Sequence, residues 1–167
     1  MGREIRNVPE NWEHPLDASG EYIPLLNRDF KAERQQWELE RKKWFEGYTK
    51  SYEENIEWEP KLEEYENISF KKYSGGKPVE SDYMPKWDEN EKTQMRMYED
   101  CTEGTPISPA FDTVEKLAQW LTDNDASAYG SMTATYSQWL ATCKKGYALS
   151  MVWTSKGTSS GVEANQD

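Results

Sequence analysis

The sequence is poor in the residues that usually build a core. Of its 167 residues only nine are Leu, five Ile, five Val and four Phe, and the net charge is −11. Few aliphatics with a large net charge is the composition of chains that stay unfolded. There is one His, His14, and there are two Cys. Zinc needs about four such ligands, and three scattered ones exclude it; no cofactor is expected. No secretory leader is visible, so Cys101 and Cys143 are expected as reduced thiols. Gly2 does not mark a myristoylation site, because Arg6 stands where Ser or Thr is needed. Long apolar runs are also missing. The longest uncharged stretch, Ala126 to Cys143, is studded with Ser and Thr and fits no membrane span. Positive charge is the minority sign, 20 basic residues against 31 acidic. Clustered cations are what nucleic acid requires, and the one dense run, Arg41-Lys42-Lys43, follows Glu38 and Glu40 on an expected salt-bridged helix face. Direct nucleic-acid binding is not expected. Gly75-Gly76-Lys77 lacks the upstream glycine and the following Ser or Thr of a phosphate loop.

Against these absences stand eight Trp and ten Tyr. A large ring buries about 150–250 Å², so a few of them can found a core. The expectation is an ordered protein with an aromatic core and flexible acidic stretches.

Residues 1–27 carry Pro9, Pro15 and Pro24 and read as an extended arm, anchored by Trp12, Tyr22, Ile23, Leu25 and Leu26. Residues 28–73 form a helical, acidic region. Phe30, Trp37 and Trp44 recur every seven residues, with Tyr48 four further on, which predicts a helix from Arg28 to about Lys50 capped by Asn27. This stripe reads as core packing. Seven glutamates and one lysine lie between Glu53 and Glu66, with an approximate helical period that Pro60 interrupts. Residues 74–85 read as a flexible linker, opened by Ser74-Gly75-Gly76-Lys77-Pro78.

Residues 86–155 predict an α+β core. Gln94 to Thr102 reads as a strand with Met95 and Met97 on one face, and Glu103-Gly104-Thr105-Pro106 as a turn. Asp112 and Glu115 form a capping-box pattern ahead of the stripe Val114, Leu117, Ala118, Leu121. A further helix, Thr133 to Lys145, turns Tyr136, Trp139, Leu140 and Cys143 inward and stops at Gly146. Tyr147 to Thr154 predicts a second strand, with Trp120, Leu121, Trp139, Leu140 and Trp153 mostly buried. Residues 156–167 read as a disordered tail. The fold class is α+β, a small two-stranded or slightly larger antiparallel sheet with packed helices behind an arm and a helical acidic region.

Two blocks of wording resemble a family of small proteins of tailed bacteriophages and prophages. One is Asn11-Trp12-Glu13-His14-Pro15 followed by Tyr22-Ile23-Pro24-Leu25; the other runs from Tyr98 through Thr102-Glu103-Gly104-Thr105-Pro106-Ile107-Ser108-Pro109 to Phe111 and on to Trp120-Leu121. The family has no established activity; the resemblance implies a phage protein, and small phage proteins often act on host machinery, immune nucleases especially.

The chemistry is sparse. His14, beside Glu13 and Pro15, reads as a packing or hydrogen-bonding residue of the arm. Asp123, Asp125 and Ser127 imitate part of a calcium loop, but Ala128 holds the glycine position, so a turn between helices is expected. The distinctive surface is Glu53–Glu66. Glu53, Glu54, Glu57 and Glu64 are expected along one side of a helix, with Tyr52 and Trp58 as apolar anchors, facing a host protein or ribonucleoprotein complex with a basic surface. The leading expectation is a phage-encoded, non-enzymatic, anti-CRISPR-like inhibitor of a host defence nuclease complex, acting in the host cytoplasm. The alternative is a structural or assembly accessory of the phage particle; third comes a small enzyme with an unrecognised site.

Overall fold

A computed structural model describes residues 2–100, 104–154 and 157–165. In chain order these carry β1 (Arg3–Val8), α1 (Phe30–Phe45), β2 (Tyr48–Lys50), β3 (Trp58–Pro60), α2 (Phe70–Ser74), β4 (Gln94–Glu99), β5 (Pro106–Phe111), α3 (Val114–Asp123), α4 (Tyr136–Lys145), β6 (Tyr147–Ala148), β7 (Met151–Thr154), β8 (Gly157–Ser160) and α5 (Gly161–Ala164). The class is α+β with antiparallel sheets. The chain forms two compact units: residues 1–27 with 85–167, and residues 28–84 between them.

The first unit is built on a four-stranded sheet of order β5-β4-β1-β6. The sheet is larger than a two-stranded one because the start of the chain is not an arm but a central strand. Arg3↔Glu99 through Val8↔Gln94 pair antiparallel, and Arg3 and Glu4 pair on the other side with Ala148 and Tyr147. Alternation gives this sheet two unlike faces. Ile5, Met95 and Met97 join a cluster with Leu117, Ala118, Leu121, Trp139, Cys143 and Val162. The opposite face carries Glu4, Arg6 and Val8 beside Gln94, Arg96 and Tyr98. Residues 9–27 cover that second face: Leu25 O accepts from Arg6 Nη1 at 2.7 Å and the Tyr22 hydroxyl from Arg96 Nη2 at 3.1 Å. Pro106, expected to close a turn, instead begins β5, which also holds Pro109. As an edge strand it tolerates residues without an N–H.

The cap of α3 lies one residue later than the sequence pattern places it, and α4 starts three residues later, at Tyr136. Thr113, not Asp112, caps α3 by accepting from Lys116 N, and Thr135 with Gln138 forms the capping box of α4. Gly146 ends α4 with φ +90°, as expected. Trp139 and Leu121 are fully buried and Cys143 nearly so; Trp120 and Leu140 are half-buried. The second strand of the expected pair is in fact two. Tyr147 and Ala148 finish the main sheet, whereas Met151–Thr154 turns into a hairpin with β8. Trp153 is 83% exposed, contrary to expectation. The residue that fills the core in its stead is Val162, on α5, with no exposed surface at all. The last residues, read from their polarity as a disordered tail, are therefore ordered from 157 to 165. They are held by Gly161 N donating to Ser150 O, and by Asn165 Nδ2 donating to Tyr147 O and Thr142 Oγ1. Only glycine fits at 161, because a Cβ there would lie 1.9 Å from Leu149 O. Cys101 lies outside the described residues.

The second unit is organised by α1. Its N-cap is Asp29 rather than Asn27, accepting from Ala32 N, and the helix ends at Phe45. Trp44 is buried, and Trp37 and Phe30 are half-buried. Trp44 meets Tyr73 at 4.5 Å between ring centroids, Phe70 at 5.9 Å and Tyr65 at 6.0 Å, so the expected aromatic core exists here. Residues 74–85 are not a flexible linker. Gly75 caps α2 in the left-handed region, Glu80–Asp82 form a 3-10 turn, and Tyr83 is buried against Phe30. Its hydroxyl donates to Glu33 Oε2 at 2.7 Å, and burial, reinforced by that carboxylate, pushes the phenol up to about 12. The unit boundaries fall instead near residues 27 and 85.

Candidate functional site

Unpaired acidic charge is concentrated in the second unit, on a hairpin and the 3-10 turn after it rather than on one α-helix. Tyr48↔Pro60, Thr49↔Glu59 and Lys50↔Trp58 pair β2 with β3, and residues 51–57 connect them. Two features overrule the approximate helical period. Pro60 brings no N–H for a helix ladder but sits without cost at the end of a two-stranded pair. Ser51 pins the connection: its N–H donates to Glu57 O, its hydroxyl accepts from Glu53 N, and the same hydroxyl donates to Glu59 Oε2 at 3.2 Å. Asn55 takes φ +67°, a conformation that a short polar side chain tolerates.

The expectation that Glu53, Glu54, Glu57 and Glu64 share one side of a helix is thus corrected. Glu53 and Glu54 are in the loop, Glu57 closes it, and Glu64 is in a separate 3-10 turn over Glu63–Tyr65. All four are exposed, as are Glu63 and Glu66. Among the described residues, none of these six carboxylates is in an ion pair. The one lysine of the stretch is diverted: Lys61 Nζ sits 4.7 Å from the centre of the Trp44 ring. Trp58 is half-buried with Lys43 Nζ 6.0 Å from its ring, so it is partly spent within the fold. Tyr52 is 97% exposed, and Ile56 and Leu62 are about half exposed. The arrangement offers carboxylates without counter-charges in a loop that also exposes a free ring, and in the turn that follows it.

A cleft in the same unit, of about 280 Å³, is lined by Glu33, Gln36, Trp37, Glu40, Ser74, Gly76 and Pro78. The sequence stripe assigned Trp37 to packing alone. The missed signal is that Glu33 and Glu40 stand four residues before and three after it, on one helix face.

In the first unit His14 is buried, and both ring nitrogens are engaged. Nε2 lies 2.6 Å from Ile23 O and therefore carries the proton it donates there; Nδ1 then accepts from the Tyr98 hydroxyl at 3.1 Å. Burial lowers the imidazole pKa; the Ile23 bond opposes this, and the Arg96 and Arg6 guanidiniums add to it. Arg6 lies over the Tyr98 ring at 4.3 Å. Burial raises the Tyr98 phenol. This cluster joins the N-terminal residues to the sheet and leaves neither imidazole nitrogen free to serve a nucleophile. Burial also pushes the Cys143 thiol up to about 12, with Glu115 adding to the shift, so it is a core contact as expected.

Among the described residues there is no group of three His, Cys, Asp or Glu side chains placed to hold a metal ion. Nor is any helix long and apolar enough to cross a membrane. No family model, curated protein or solved structure matches the chain.

Proposed function

We propose that this chain is a phage-encoded, non-enzymatic binding protein that inhibits a host defence nuclease complex by occupying its basic nucleic-acid-binding surface, in the manner of an anti-CRISPR protein. The observation that carries the reading is the acidic surface of residues 53–66: six exposed glutamates with no ion-pair partner among the described residues, three in the hairpin loop that also exposes Tyr52 and three in the 3-10 turn that follows and at its end. Uncompensated charge steers a basic partner over about a Debye length, 8–10 Å near physiological salt. The tyrosine then supplies contact area, since exposed charge contributes on-rate more than affinity. A loop already hydrogen-bonded into shape pays little ordering entropy when it docks. The partner is a host protein or ribonucleoprotein in the host cytoplasm.

The test is affinity purification from infected host cells with the wild-type chain and with a variant in which Glu53, Glu54, Glu57 and Glu64 are all Lys. Wild type should retain a nucleic-acid-binding nuclease complex that added DNA and rising salt both displace; the charge-reversed chain should not. Retention of virion proteins would favour the second reading, a particle accessory. That reading draws on the exposed Tyr147, Leu149 and Trp153 of the first unit. Equal capture of the nuclease by both chains would overturn the role of the hairpin.

A further inference from the structure

We propose that the cleft beside Trp37 is a receptor for a single organic cation, the guanidinium or ammonium group of a basic side chain on the partner. This rests on the reading of the partner as basic, and it adds a defined pocket to what is otherwise a diffuse field. The cleft has the three parts such recognition needs. Its aromatic component is the Trp37 indole, held by Nε1 donating to Ser74 Oγ at 3.1 Å and by Phe70 at 5.2 Å between ring centroids. Its uncompensated charge is Glu40, on the turn after the ring; Glu33, on the turn before it, is already paired with Arg28 at 3.0 Å. Its far wall is Gly76 and Pro78; the Arg34 guanidinium donates to Pro78 O at 3.2 Å but is paired with Glu38 at 3.2 Å. At about 280 Å³ the space has room for the end of one side chain.

The carboxylates are oriented before any ligand arrives. Glu33 accepts from the Tyr83 hydroxyl through Oε2 and from Arg28 Nε through Oε1 at 3.0 Å, and Glu40 Oε1 accepts from Gln36 Nε2 at 2.8 Å. The chain also shows what the ring attracts. Lys77, between the two lining residues Gly76 and Pro78, carries its ammonium to 5.9 Å from the Trp37 ring centre. That is the outer limit of cation–π range. The lysine is half exposed and its nearest carboxylate, Glu38, is 4.0 Å away, so it is loosely held. It is an internal stand-in of the same chemistry as the ligand, and it must give way when a stronger cation enters.

The experiment uses the full chain and titrates methylguanidinium chloride and tetramethylammonium chloride, each at constant ionic strength against sodium chloride. The readout is the NMR signal of the Trp37 indole N–H, assigned by its loss in Trp37→Phe. A saturable shift is expected with either organic cation. Glu40→Gln should weaken it by about threefold or more, the scale of one exposed cation contact. Lys77→Ala should tighten it, because the stand-in is removed, whereas Lys42→Ala removes the same charge from an exposed position on α1 and should not. Trp37→Leu tests the ring itself, read on the side-chain amide of the lining residue Gln36, whose shift with either cation should be lost, with circular dichroism to establish that the variant folds. A shift that never saturates, or equal effects of Lys77→Ala and Lys42→Ala, would overturn the pocket and leave only general electrostatics. The hairpin reading would survive that failure, because its own test reverses charges outside the cleft.

Discussion

Replacing Val162 by alanine asks whether the end of the chain belongs to the fold. The side chain has no exposed surface and lies in the cluster of Leu117, Leu121, Trp139 and Cys143. Two buried carbons are lost, worth about 0.8 kcal/mol each in transfer. The space they vacate, roughly 40–50 Å³, adds about 1 kcal/mol if the core does not collapse into it. Alanine is the better helix former by about half a kcal/mol, which offsets part of the loss. The net expectation is destabilisation of about 2 kcal/mol, or a melting temperature lower by roughly 4–8 °C for a chain of this size. Urea unfolding followed by circular dichroism measures it, with Val79→Ala as control because Val79 is 53% exposed. Deleting residues 157–167 should cost more, since the bonds of Gly161 and Asn165 go as well. If Val162→Ala and Val79→Ala are alike within about half a kcal/mol, the docking of α5 is refuted.

Three further outcomes follow from buried groups. The native imidazole of His14 has a pKa below its ordinary 6.5, so below that value the unfolded chain binds the proton that the native chain resists. Stability should fall as pH drops from about 6.5 and be flat above it, as judged by urea midpoints at pH 5.5 and 7.5; His14→Gln, which keeps a donor toward Ile23 O, should remove the slope. In a Cys101→Ser background, Cys143 should label slowly with a thiol reagent at pH 8 and at the unfolded rate in urea, and rapid native labelling would contradict its burial. Gly104→Ala should destabilise the first unit by more than about 1 kcal/mol by urea unfolding, since φ is +57° and the new Cβ would meet Leu25 O at 2.4 Å.

What the sequence makes legible is local chemistry. Helix α4 is readable because Thr135, Gln138 and Gly146 act on atoms three or four residues away, and the ring stripe of α1 because seven residues are two turns. The strand β1 is illegible for the opposite reason. Arg3-Glu4-Ile5-Arg6-Asn7-Val8 has one apolar residue on the helix-covered face, and its other face is buried by a backbone carbonyl and a ring some twenty and ninety residues distant. The same holds for Val162, an isolated apolar residue in a polar tail whose partners are all remote. The acidic stretch was legible as charge but not as shape: a weak period of 3.6 lost to one proline and one serine side chain. The cleft at Trp37 was hidden inside a stripe that core packing explains, because the opposing wall comes from residues 74–78.

The position of β1 also bears on how the protein is made. A strand finished within the first eight residues has its two neighbours at 94–99 and 147–148. At bacterial and eukaryotic elongation speeds this leaves it waiting roughly five to thirty seconds on the ribosome. The inserted unit has no such wait, since its helix, hairpin and ring cluster draw only on residues 28–84. Synthesis therefore delivers the acidic hairpin first, on a nascent chain whose first segment, with its two future interior arginines, is still solvated. The sheet closes last, with long loops to be gathered before any of its contacts reward it. Truncated translation products would then carry the hairpin without the scaffold.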